Sequence, residues 1–161
     1  MKTPKILLTT VIALILWSCG GGEKASEEQT GADAPKSMVA DPESYDPKRG
    51  EGKWTAENIN LGATLDAAMA TEGEKISGVK CTSCHKMTEE KLVGPGWKGA
   101  TQKRTPEWIM NFITNPDPMI DKDPEVQAML ELCLVRMPNQ NLTDTDARNI
   151  LEFMRKIDGV K

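Results

Sequence analysis

Between Lys80 and Met87 the chain reads KCTSCHKM, placing Cys81, Cys84 and His85 within five consecutive positions. His85 is the only histidine among 161 residues. Two thiols and an imidazole at this spacing suit three kinds of chemistry: a redox-active disulfide, a zinc site, or covalent attachment of haem. Zinc takes four ligands in tetrahedral geometry. Cys133 is the one further cysteine downstream, and adjacent Cys84 and His85 make an awkward pair of ligands. A thiol–disulfide centre belongs beside a βαβ pattern, and no strand alternation is evident. Haem uses every part of the motif. Two thiols separated by two residues add to the vinyl groups on one ring edge, and the neighbouring imidazole becomes an axial ligand to iron.

The elements that must position this motif read as all-α. Ahead of it, Leu61, Leu65, Ala68, Met69, Ile76 and Val79 form a helical stripe interrupted by Gly73 and Gly78. Downstream, Thr105 caps a helix that opens on Pro106 and stops before Pro116. Asp123 and Pro124 repeat the device, and NPDPMI between the two reads as a loop. Thr143, with Asp146 three residues on, opens a last helix that ends at Gly159 and buries Ile150, Leu151, Met154 and Ile157. Aromatic residues make up 4% of the chain, a thin supply for a purely protein core, and a large apolar ring fills that gap.

The N-terminal third reads differently. Lys2 and Lys5 precede an apolar run from Ile6 to Trp17, too short to span a membrane and suited to a signal peptide. It ends at LWSCGGGE, which resembles the lipobox of bacterial lipoproteins. Residues 1–18 are therefore expected to be removed and Cys19 lipidated; plain secretion is the alternative, and both export the protein. Residues 19–54, rich in Gly, Ser, Glu, Asp and Pro, read as a lipid-anchored disordered linker. A chain of about 35 such residues spans on the order of 30–35 Å on average. The folded domain is expected over 55–161.

From about Gly73 onward the order of parts is similar to that of monohaem class I cytochromes c. GEKISGVKCTSCH matches the family's first helix and haem motif, and VGPGWKG its Gly-Pro loop. TPEWIMNFITNP and MPNQNLTDTDARNILEFM match its middle helix, ligand loop and final helix. Ser77 stands where an aromatic is common, and Trp97 where leucine is usual. The resemblance implies about four helices around one covalent haem c held by Cys81 and Cys84. It implies His85 as axial ligand, with the Pro95 carbonyl accepting the imidazole N–H. Met137, followed by Pro138, falls where the family carries its axial thioether; Met119 is the alternative. Iron ligated from both sides exchanges electrons and has no open position, so a carrier is expected rather than an enzyme.

The implied partners are redox proteins. A membrane quinol-oxidising complex is the donor, and a terminal reductase or oxidase is the acceptor. The motif series looks especially like small cytochromes associated with nitrous-oxide reductase systems. Competing readings are a haem enzyme or gas sensor with a vacant or labile sixth ligand, and a fixed haem subunit of a larger oxidoreductase. The formal net charge of −4 gives no basis for nucleic-acid binding. Within it, Lys75, Lys80, Lys86, Lys91, Lys98, Lys103 and Arg104 cluster around the motif against only Glu89 and Glu90. Cys133, on an apolar face, reads as a buried inert thiol, and Trp54 and Trp108 as ordinary packing residues.

Overall fold

The computed structural model describes residues 45–161. The expected signal peptide, the expected lipidation site Cys19 and most of the expected linker lie outside that range. The described residues form helices and turns, with no strand among them. The helices are α1 (Ala56–Ile59), α2 (Ala67–Lys80), α3 (Ala100–Lys103), α4 (Pro106–Thr114), α5 (Pro116–Lys122), α6 (Pro124–Cys133) and α7 (Asp144–Ile157). The all-α expectation is met. The count exceeds about four because single-turn helices and α5 join the longer ones. None of the described helices is long and apolar enough to cross a membrane.

Local capping chemistry places the longer helices. Thr105 Oγ1 accepts from Trp108 N, and Asp123 accepts from Glu125 N and Val126 N. Thr143 and Asp146 satisfy each other's backbone amides in a reciprocal capping box. Pro116 both ends α4 and opens α5, because proline is excluded from a helix interior but favoured at its first position. The stretch NPDPMI is therefore helical where a loop was expected. Met119 lies on it, fully buried.

The buried seam of α2 is not the apolar stripe. Val79 is 85% exposed, whereas Ala70, Gly73 and Ser77 face inward. These small residues let α2 press against α7: a Cβ on Gly73 would stand 2.0 Å from Asn149 O. Gly73 and Gly78 therefore do not split the helix. On α7, Ala147, Ile150, Leu151 and Met154 bury an apolar face together with a charged group. Glu152 is 1% exposed and pairs with Arg148 and Arg155. Those arginines also donate to Ile59 O and Gly62 O, so the network stitches the segment before α2 onto α7. A buried carboxylate needs such partners to offset lost hydration.

Residues 45–54, read from sequence as linker, pack on the domain. Buried Asn111 of α4 accepts from Trp54 N at 2.8 Å and donates to Arg49 O and Trp54 O. Tyr45 Oη donates to Asp123 Oδ2, which also accepts from Trp108 Nε1 at 3.0 Å. Gly50, at φ 73°, lies against Met119, whose Cε is 2.6 Å from where a Cβ would be. Composition said disorder here. Two aromatics and a fully bonded buried amide supply the burial that composition averages away.

Candidate functional site

The CxxCH motif continues the last turn of α2. Cys81 N donates to Ser77 O, and Cys84 N and His85 N both donate to Cys81 O. The chain then folds back: Val93 N and Gly94 N donate to Cys84 O, and Trp97 N donates to Lys86 O. This return lays the Pro95 carbonyl beside the imidazole, with His85 Nδ1 2.8 Å from Pro95 O. A carbonyl only accepts, so Nδ1 carries the proton and Nε2 keeps its lone pair for a metal. Gly94 is required here because a Cβ would stand 2.4 Å from His85 Cε1.

The two departures at Ser77 and Trp97 compensate each other. Ser77 is fully buried and bonds Gly73 O through its hydroxyl, leaving α2 no aromatic for α7. Trp97 supplies that ring instead. It meets Phe153 edge-on at 6.3 Å between centroids and stands 5.9 Å from the His85 ring. One indole thus braces both α7 and the imidazole.

Beside the motif lies a cavity of about 780 Å³, within the range of about 300–1,000 Å³ usual for cofactor sites. Cys81, Cys84, His85 and Pro95 line one part of its wall, and Met137 and Leu142 of the α6–α7 segment line another. Apolar side chains of α4 to α7, including Ile109, Phe112 and Met154, supply much of the rest. Cys81 and Cys84 are not bonded to each other, and burial pushes the Cys81 thiol above its usual range. Among the described residues no group of three or more His, Cys, Asp or Glu side chains is placed to hold a metal ion, so zinc has no ligand set. The donors suit a large apolar ring: thiols for its edge, an oriented imidazole, and an aliphatic and aromatic wall.

The comparisons with known proteins agree with this geometry. The family model for cytochrome c matches residues 70–158. The chain belongs to the cytochrome c family. A cytochrome c from Rhodothermus marinus is 33% identical, with a TM-score of 0.63 over 73% of this chain and 97% of that one. An engineered cytochrome c from the same organism is 32% identical, with a TM-score of 0.62 over 73% and 98%. The engineered protein bound to a carbene intermediate is 33% identical, with a TM-score of 0.60. No curated protein matches. As a cytochrome c, the chain carries a covalently bound haem c, transfers electrons through it, and exchanges them with redox proteins.

Several expectations need revision against the structure. Met119 is fully buried beneath Gly50 and is not on the cavity wall. Met129 and Met154 do reach the wall, but from within helices α6 and α7. Cys133, expected to be buried, is half-buried and lines the cavity. Trp108 also lines it, but its indole N–H is used by Asp123, and Arg104 stacks on its ring at 4.4 Å. Gly94 and the Trp97–Phe153 contact were missed from sequence. The GPGW run was the available signal, since glycine flanking proline marks a close backbone approach.

Proposed function

We propose that this protein is an exported, lipid-anchored electron carrier with a single haem c ligated by His85 and Met137. One observation carries the ligand assignment: His85 and Met137 lie on the wall of the same cavity, and Met137 is the wall's one methionine outside a helix. Bound haem supplies an iron that takes and gives one electron at a time. The chain's own residues do the rest. Cys81 and Cys84 would hold the ring as thioethers, the Pro95 carbonyl fixes the His85 tautomer, and Trp97 braces the imidazole. The Met137 thioether, neutral and soft, favours the reduced iron and raises the potential. If His85 and Met137 both held the iron, electron transfer would be the remaining chemistry, and the protein would act as a carrier rather than an enzyme.

In this reading Cys19 carries the lipid, and the domain works on the periplasmic side of a bacterial membrane. It accepts electrons from a quinol-oxidising complex and passes them to a terminal reductase, such as nitrous-oxide reductase, or to an oxidase. Lys80, Lys98 and Lys103 border the cavity and form no carboxylate pair among the described residues. They suit an acidic docking partner, with rates that fall as salt rises.

A second reading is a haem centre whose sixth position opens to small molecules. An engineered Rhodothermus cytochrome c is described as bound to a carbene intermediate. Absorption spectra of the ferric and ferrous protein separate the two. Low-spin iron with a methionine–iron charge-transfer band, lost in Met137→Ala, is expected for the carrier. An unchanged spectrum in that variant discards Met137 as ligand, and prompt carbon monoxide binding by the wild type selects the second reading.

A further inference from the structure

Between α6 and α7 the chain carries Met137 on a stretch that holds no helix. Hydrophobic burial does not fasten its approach. Leu134 is 84% exposed and Val135 53% exposed. Leu134 also closes α6 at φ 59°, and Asn141 turns the far end at φ 50°. These are left-handed conformations that side-chain-bearing residues adopt reluctantly.

Polar contacts hold this approach instead, and the most specific is made by Met137's immediate neighbour. Arg136 Nε lies 3.0 Å from Asp117 Oδ1, and its Nη2 lies 3.0 Å from Asp121 Oδ1. The two aspartates stand one turn apart on α5, where Met119 and Ile120 are buried, so the guanidinium fork grips a rigid support. Lys80, beside the haem motif, adds a tether by donating to Gln140 O at 2.9 Å, and Lys91 Nζ donates to Leu132 O in the last turn of α6.

We infer that Arg136 is a positioning residue. Its grip on Asp117 and Asp121 latches the Met137 segment over the haem cavity and sets how readily an outside ligand reaches the iron. The inference rests on Met137 being the axial ligand. Arg136 remains partly exposed, as do both aspartates, and exposed pairs are individually weak. Release is therefore expected to raise ligand entry by about 3- to 10-fold rather than abolish closure.

The test uses the haem-loaded protein as wild type, Arg136→Gln, and Asp117→Asn combined with Asp121→Asn. It measures the rate of imidazole binding to ferric iron at low and high salt, and amide hydrogen exchange over residues 134–141. Both variants are expected to bind imidazole about 3- to 10-fold faster at low salt. The wild type should approach them as salt screens the latch. Exchange should quicken in residues 134–141 and stay unchanged in α7. Wild-type rates and exchange in both variants overturn the latch. Met137→Ala keeps the two ideas apart. If it leaves the spectrum unaltered, the ligand assignment fails. If it removes the methionine signature while Arg136→Gln changes nothing, only the latch fails.

Discussion

Gly73→Ala tests the packing of the domain most directly, because helix propensity and tertiary contact predict opposite signs. Alanine in place of glycine within an exposed helix stabilises it by about 1 kcal/mol. At Gly73 the new Cβ would lie 2.0 Å from Asn149 O, 2.5 Å from Asn149 C and 2.9 Å from Ile150 N. All three are backbone atoms of α7 and have no rotamer through which to retreat. The α2–α7 crossing must open by about 1 Å or more in an interior with little slack. Overpacking of this kind costs about 1–3 kcal/mol and occasionally more. Because the obstacle is backbone, we expect the upper end, giving a net loss of about 2 kcal/mol and a melting temperature lower by about 8 °C. Gly78, on the same helix, is the control: nothing lies within 4 Å of its Cβ position. Gly78→Ala should therefore stabilise by about 0.5–1 kcal/mol. Thermal melts of both haem-loaded variants, followed by far-ultraviolet circular dichroism, give the comparison. Equal stabilisation by the two substitutions would refute the close α2–α7 seam.

Three further outcomes are expected. Gly94→Ala drives a methyl into the His85 ring, whose Cε1 is 2.4 Å from the Cβ position, so haem attachment or the axial spectrum should suffer; a wild-type spectrum and yield contradict the placement of that loop. Glu152→Ala leaves Arg155 and Arg148 without their shared carboxylate in a buried site. Chemical denaturation should show a loss of about 3–5 kcal/mol, and a loss under 1 kcal/mol would mean the arginines reach water. Tyr45, the only tyrosine, is held above its usual range by burial first and then by its hydrogen bond to Asp123. Its folded-state value is raised, so its contribution to stability is complete below about pH 10 and is lost as pH climbs from there through the raised folded-state value. Tyrosinate absorption should be absent at pH 10 and appear well above it. Ordinary titration near pH 10 would show that residues 45–54 are not docked.

Features that depend on near neighbours along the chain were legible. The CxxCH spacing announces its chemistry because both thiols and the imidazole fall within one turn. The caps at Thr105, Asp123 and Thr143 were readable because each bonds amides two or three residues away. The Pro95–His85 contact came from resemblance, and the structure shows how the loop returns to make it.

What only the tertiary structure decided concerns partners far apart in sequence. Hydropathy assigned the buried face of α2 to its larger apolar residues, yet Gly73 and Ser77 face inward because a close helix crossing selects for small volume. Composition assigned residues 45–54 to a linker, yet Asn111 and Asp123, more than 50 residues away in sequence, hold them down. Glu152 has its two arginines on its own helix, but the cluster is buried only because residues 59–66 fold over it and bond to the same side chains. Local spacing sets which donors the CxxCH motif offers. The fold decides what braces them, since volume, desolvation and hydrogen-bond satisfaction become defined only once distant segments are in contact.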